Sequence, residues 1–333
     1  MNRQTPLARR HFLAQAAAAG TSLGLQSFAF AQGGDGWPAR PVKVTCNFPA
    51  GSSPDALIRA VAQPVQHALG QSVVIDNRAG ASGIIGADVV AKSPADGYSL
   101  LMTAGSTITT NPHVFAKMPF DPAKDLAPVA ALARLNLFLV TRGDFPAGNV
   151  REFLAYLKSH PGKVTYGSAG NATGLHLAGE MLKGQAGVYA VHVPYRGASV
   201  ALQDLLAGQI DFYFDPGIAL QHVKAGRLKM LAIAAPHRSP LYPDVPTLDE
   251  GGLKGFDAGT THGLYAPAAT PTVIIERLNR EVNAALALPG VKAQIAALAA
   301  DPSPMSPAQF AALMRKDSER YGAVIRERKI TVS

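Results

Sequence analysis

"TYGSAGNATGLHLAG" (residues 165–179) carries the pattern that organises the whole chain. It opens on a β-favouring run, Lys163-Val164-Thr165-Tyr166, and closes on apolar residues at helical spacing. Between them stand Gly167, Ser168, Ala169, Gly170, Asn171 and Thr173, small residues that let another group approach the backbone. A helix start exposes N–H groups without intrahelical partners, and such groups attract anions. The stretch therefore predicts a strand-turn-helix unit with an anion held near its helix start. The donors would be the N–H groups around Ser168–Gly170 and the hydroxyls of Ser168 and Thr173. The alternative at this point is that Thr173 or Asn171 only caps the helix.

The same rhythm runs outward in both directions. Downstream, the strands "YAVHVPY", "IDFYFD" and "LKMLAIAA" alternate with the helices "SVALQDLLAGQ" and "LQHVKAG". Upstream, "VKVTCNF", "SVVIDN" and "YSLLMT" read as strands separated by "PDALIRAVAQPVQHALG" and "GIIGADVVAKS", with a kink or break expected at Pro64. Two more strands are expected around residues 126–141, and a helix over 150–159. From "TPTVIIERLNREVNAALA" to the C-terminus the chain reads as helices with little strand between them. Alternating strands and helices predict an α/β fold of mostly parallel sheets flanked by helices. Linker-like stretches near 138–150 and 252–260 divide it into one lobe of residues 37–140 plus 258–333 and another of 141–257. Four small-residue loops end predicted strands: "FPAGSSPD" (48–55), "TAGSTITTNP" (103–112, with Gly105 and Ser106), "YGSAGNATG" (166–174) and "VPYRGAS" (193–199). In such folds ligands bind at the carboxyl ends of strands and between domains, so these loops are expected to converge on one cleft.

Composition narrows the function. Of the 333 residues, 47% are hydrophobic and 16% charged, an ordinary globular balance. The net charge is +8, but Arg3, Arg9 and Arg10 lie in the first 31 residues with no acid beside them, which leaves +5. The remaining charges form no basic runs with interleaved aromatics, so nucleic-acid binding is not expected. "LARRHFLAQAAAAGTSLGLQSFAFAQ" reads as an export signal over residues 1–31, with cleavage after Ala31 in Ala29-Phe30-Ala31 and a periplasmic destination. Arg9-Arg10 suggests the twin-arginine route; a general secretory signal with a chance arginine pair is the alternative. The single cysteine, Cys46, excludes an intrachain disulfide and a cysteine metal site, and reads as a buried strand residue.

Catalytic motifs are sparse. The one G-x-S-x-G, Gly20-Thr21-Ser22-Leu23-Gly24, falls inside the export signal. There is no H-E-x-x-H, P-loop or G-x-G-x-x-G, so no cofactor or metal is expected. "GASGIIG" (80–86) reads as a turn into a helix. His176, two turns after the Ser168 loop, orients that loop or lines the cleft. Asp55 either complements a helix dipole or faces ligand, and Asp215 is either a strand-end turn residue or a cleft acceptor.

Six segments resemble one known family: "WPARPVKVTCNFPAGSSPDALIRA", "VVIDNRAGASGIIGADVVAKSPADGYSLLM", "YGSAGNATGLHLAGE", "HVPYRG", "ALQDLLAGQIDFYFD" and "RSPLYPDVPTLDEGGL". In this order they resemble the tripartite tricarboxylate transporter substrate-binding proteins, the Bug-type extracytoplasmic solute receptors. The resemblance implies a two-lobed periplasmic-binding-protein fold, with a ligand cleft between the lobes that closes on binding. It implies a small carboxylate ligand (a di- or tricarboxylate, an aromatic acid or an amino acid) delivered by a monomeric receptor to large and small membrane transporter subunits. The first-lobe ligand loop would hold Phe48, Gly51, Ser52, Ser53 and Asp55. The second-lobe loop would hold Ser168, Ala169, Gly170, Asn171 and Thr173. Tyr195, Arg196 and Gly197 match the family's Tyr-Lys-Gly with Arg for Lys, and Asp215 matches its Asp after the aromatic strand. Ser52, Ser53 and Pro54 depart from the family's first loop, and Pro216 stands where an Asn is common. A secreted hydrolase using Ser168 or Ser106, with His176 as base, and a ligand sensor for a signalling partner are the alternative functions.

Overall fold

The computed structural model describes residues 36–331; the export signal expected over residues 1–31 lies outside them. From Pro38 onward the chain forms one compact unit containing two sheets. Alternation of apolar residues sets β1 (Val42–Cys46), whose Val42, Val44 and Cys46 are all buried. Helix α1 (Ser53–Leu69) follows, with Pro54 and Asp55 in its first turn, and stops at Gly70, whose φ of 68° is open to glycine at little cost. It runs through Pro64 as one helix, so of the expected kink or break, a break is absent. Next come β2 (Val73–Asn77), α2 (Ile84–Ala91) and β3 (Ser99–Thr103). The small-residue stretch after β3 is not a loop but two short helices, α3 (Gly105–Thr109) and α4 (Asn111–Val114). Helix α5 (Pro122–Asp125) then leads into β4 (Leu126–Leu135).

The chain crosses to the second sheet through only Asn136 and Leu137. There it builds β5 (Phe138–Arg142), α6 (Val150–Ser159), β6 (Thr165–Ser168), α7 (Gly174–Ala186), β7 (Val191–Pro194), α8 (Ala198–Leu206), β8 (Phe212–Asp215), α9 (Leu220–Lys224) and β9 (Leu228–Ile233). It returns through residues 234–259 to β10 (Thr260–Pro267), α10 (Thr272–Ala287), α11 (Pro289–Ala296), β11 (Ala300–Pro302) and α12 (Pro307–Arg328). Residues 138–140, expected in the first lobe, therefore hydrogen-bond within the second sheet. Phe138 pairs with Asp215 on one side and Ile233 on the other.

Strand orders are β11-β4-β10-β3-β1-β2 and β7-β6-β8-β5-β9. Both sheets are mixed rather than mostly parallel. Each has a parallel trio, β2-β1-β3 and β7-β6-β8, extended by antiparallel strands. The physical reason is the pair of crossings, since β5 and β10 enter their sheets after the chain has changed sheets and run against their neighbours. Aromatic side chains fill the second core, where Phe153 meets Phe212 edge-on at 5.0 Å. Tyr265 and Phe310 of α12 anchor the first at 5.2 Å. Helix α12, opened by a Ser306/Gln309 capping box, spans both halves. Its Phe310 packs in the first core, while Tyr321 and Ile325 cluster with Leu177 of α7, Ala172 and Val114. None of the helices described is long and apolar enough to cross a membrane.

Candidate ligand-binding site

Because β1, β2 and β3 are parallel neighbours, the segments after Cys46, Asn77 and Thr103 leave one edge of the first sheet together. Amide side chains bind them to one another. Asn47, fully buried, donates to the Gly83 carbonyl at 2.8 Å and reaches Thr107 Oγ1 at 3.4 Å. Asn111 donates to the Ser82 carbonyl at 2.9 Å. A Cβ at Gly83 would lie 2.5 Å from Asn47 Nδ2, and one at Gly86 only 2.7 Å from Asn47 Cβ, so glycine is required where this loop meets β1. Ala81 and Ser82 hold φ of 46° and 54°, a strained pair that the surrounding bonds keep in place. "GASGIIG" is thus a turn into a helix, as expected, but it also packs against the segments that follow β1 and β3. Its glycines three apart were the available signal.

Asp55 organises the first loop from within. It accepts from the Gly51 N–H at 2.9 Å, Asn77 Nδ2 at 2.9 Å and Arg59 Nε at 3.0 Å, while Asn77 also donates to the Phe48 carbonyl. Burial alone would raise its carboxyl, but the bonds from Arg59, Gly51 and Asn77 outweigh burial and hold it below the usual carboxylate range. Ser53 Oγ lies 3.2 Å from His262 Nε2 on β10, a residue that no motif singles out. Burial drives the His262 pKa down to about 3, so the ring is neutral. Gly105 presses on the start of the same strand, since its Cβ would be 2.5 Å from Thr260 Oγ1; Ser106 beside it is half-buried. Ser52 Oγ and His262 Nδ1 are buried without a hydrogen-bond partner among the described residues.

On the second sheet β7, β6 and β8 are parallel, so the segments after Ser168, Pro194 and Asp215 also share an edge. Here the loop folds on itself. Ser168, 0% exposed, accepts from the Gly170 N–H at 3.1 Å and contacts the Gly170 carbonyl at 3.0 Å and His192 Nε2 at 2.7 Å. Thr173 occupies the N-cap position of α7, yet its hydroxyl donates to the Gly170 carbonyl at 2.8 Å and does not cap the helix. Both hydroxyls expected to donate to a ligand are therefore turned inward. Gly170, at φ 124°, and Ala172, at φ 60°, shape the turn, and Asn171 is exposed at its tip with Ala169 half-buried behind it. The Ala172 N–H donates to His176 Nδ1 at 3.0 Å, so His176 orients the loop from beneath.

Two further candidates also work internally. The Tyr195 hydroxyl donates to Asp204 at 2.7 Å, and burial with that bond raises its pKa to about 12. Gly197, at φ 143°, and exposed Arg196 continue the segment. Asp215, fully buried, accepts from the Tyr213 hydroxyl and from the N–H groups of Gly217 and Ala219, which ties down residues 216–219. It is the strand-end turn residue rather than a cleft acceptor; burial raises its carboxyl despite those bonds. The packing of Val114 with Ala172 brings the segment after β3 and the loop after β6 together. A groove of about 850 Å³ between α1 and α10 is lined by none of these loops. Among the described residues no group of His, Cys, Asp and Glu could hold a metal ion.

Comparison with known proteins fits this geometry. The family described as tripartite tricarboxylate transporter family receptor matches residues 57–330. The BugT protein of Bordetella pertussis is 35% identical over 296 residues, 88% of this chain and 90% of that protein. The solved structure of R. palustris Rpa4515 with adipate is 32% identical, covers 89% of this chain and 99% of its own, and has a TM-score of 0.75. MatC from Rhodopseudomonas palustris with bound malate is 33% identical, with coverage of 87% and 100% and a TM-score of 0.70. The two helix-flanked sheets are those of a two-lobed periplasmic binding protein. On the match over residues 57–330 and the likeness to BugT over 88% of the chain, this chain belongs to the tripartite tricarboxylate transporter family of receptors.

Proposed function

We propose that the protein is an exported, periplasmic receptor that closes its two halves on a small carboxylate and delivers it to tripartite tricarboxylate-type membrane subunits. The observation that carries this reading is the start of α7. Thr173 leaves the first N–H groups of that helix without a side-chain cap, at the tip of a loop whose own hydroxyls are already committed. The donors are then backbone N–H groups at Gly174 and Leu175, which carry roughly half a positive charge together with the rest of the helix start. Exposed Arg196 supplies a charge-assisted bond. The first-sheet segments from Phe48 to Ser53, from Gly80 to Gly83 and at Gly105–Ser106 close over the other end of the ligand. Binding of adipate and malate by related proteins supports a dicarboxylate in this place.

The Ser168–His192 contact favours a second reading, a hydrolase, because it pairs a hydroxyl with an imidazole. Ser168 is fully buried and bonded to the Gly170 N–H, so attack on a substrate would first require the loop to open. A thermal-shift panel of mono-, di- and tricarboxylates, aromatic acids and amino acids tests the receptor reading. A ligand at a hundred times its Kd stabilises by about 2.7 kcal/mol. Scattering with that ligand should show a smaller radius. Turnover of carboxylate esters with no stabilising acid in the panel would favour the hydrolase.

A further inference from the structure

Beneath the loop, His176 of α7 and His192 of β7 stack with ring centroids 3.9 Å apart and planes 5° from parallel. Each ring holds one end of the loop. His176 Nδ1 accepts the Ala172 N–H, so that nitrogen carries no proton while the bond exists. His192 Nε2 meets Ser168 Oγ, whose single proton serves either that nitrogen or the Gly170 carbonyl. The opposite edge of His176 faces Glu180 at 3.8 Å, and Glu180 is held by Lys183 at 2.6 Å and by the Tyr166 hydroxyl of β6 at 2.7 Å. From α12, Glu327 and Arg328 line an opening shared with Glu180, and Arg328 passes over Gly184. His113 of α4 is turned away toward Ser318.

We propose that His176 and His192 form a proton-operated latch on this loop, in which a proton on His176 Nδ1 sets two donors against each other at Ala172, releases the loop and weakens ligand binding. The proposal rests on the loop being the ligand's anchor, as argued above. Two stacked imidazoles this close do not both charge readily, so the pair resists protonation until the solution is distinctly acidic. Burial lowers both rings from the ordinary value, His192 to about 4. Since both are lowered, the latch is complete above pH 6.5 and fails as pH falls through the depressed values.

The test uses the ligand-free protein and its His176→Asn variant, in which the amide oxygen takes the place of Nδ1 and does not titrate. Amide and imidazole NMR signals are followed from pH 7.5 downward. The Ala172 amide should titrate with the His176 ring in the wild type and stay fixed in the variant. An Ala172 amide that stays fixed down to acid unfolding, or that moves equally in His176→Asn, overturns the latch. Adipate and malate affinities are measured alongside, as the ratio of wild type to variant, which cancels titration of the acids themselves. That ratio should fall by about tenfold per pH unit below the ring's midpoint. A constant ratio beside a titrating amide overturns the link to ligand and, separately, the placement of the ligand on this loop.

Discussion

The two loop systems at the mouths of the sheets do the same job with different chemistry. On the first sheet, Asn47, Asn77, Asn111 and Asp55 cross-link three segments through amides and a carboxylate. On the second, two hydroxyls and two imidazoles fold one loop onto itself. Each half is therefore sensitive at a different kind of group. Asp55 has its carboxyl lowered, so its contribution is complete above the ordinary carboxylate range and is lost only as pH falls through a still lower value. The imidazole pair holds above pH 6.5 and fails as pH falls through the depressed values of its rings, that of His192 being about 4. In that window the second-sheet loop loosens while the first-sheet loops hold.

Substitutions sharpen the contrast. The largest effect is expected from Asp55→Ala, which strands the Gly51 N–H, Asn77 and Arg59 together. Arg59 and Gly51 are exposed and recover water, so the loss is about 2–3 kcal/mol, dominated by the buried carboxylate's bonds to half-buried Asn77 and the loop. Urea unfolding measures it, and a loss under 1 kcal/mol would mean that the first loop does not depend on its carboxylate. A smaller effect, about 1–3 kcal/mol, is expected from Gly179→Ala in α7, where a Cβ would overlap the Tyr166 ring that braces Glu180. Gly86→Ala is its counterpart on the first sheet, against Arg78 O and Asn47 Cβ at 2.7 Å. If the contrast holds, only the α7 substitution changes the acid sensitivity of the Ala172 amide; a change in both would erase it.

The alternation of strands and helices was legible because a buried strand and an amphipathic helix leave different apolar periods, as "IDFYFD" and "VREFLAYLKS" do. Strand direction was not legible, because β5 and β10 owe theirs to the crossings and not to local sequence. The first crossing hid inside one apolar run, since β4 and β5 are separated by only Asn136 and Leu137. β10 was missed because "TTHGLYAP" opens on three polar residues and contains a glycine and a proline, although nearly all of it is buried. In the candidate site, the small-residue loops mark segments that parallel neighbouring strands bring to a common edge of each sheet. The roles of Asp55 and Asp215 were ambiguous because a carboxylate that clamps its own loop and one that meets a ligand occupy the same kind of position, at a helix start or a strand end. His192 and His262 were invisible because only the tertiary pairing of β6 with β7, and the packing of Ser53 against β10, brings them to the loops.

If a ligand carboxylate sits at the start of α7, Asn171→Asp should weaken its binding. Asn171 is exposed at the loop tip, and the change is nearly isosteric, so the fold should be untouched while a fixed negative charge enters the anion's place. Thermal shift and calorimetry with the carboxylate panel should find at least one acid that stabilises the wild type and binds the variant at least about tenfold more weakly, a difference of about 1.4 kcal/mol, with the melting temperature of the free variant unchanged. Equal affinity in a normally folded variant, or no stabilising carboxylate for the wild type, would contradict the account.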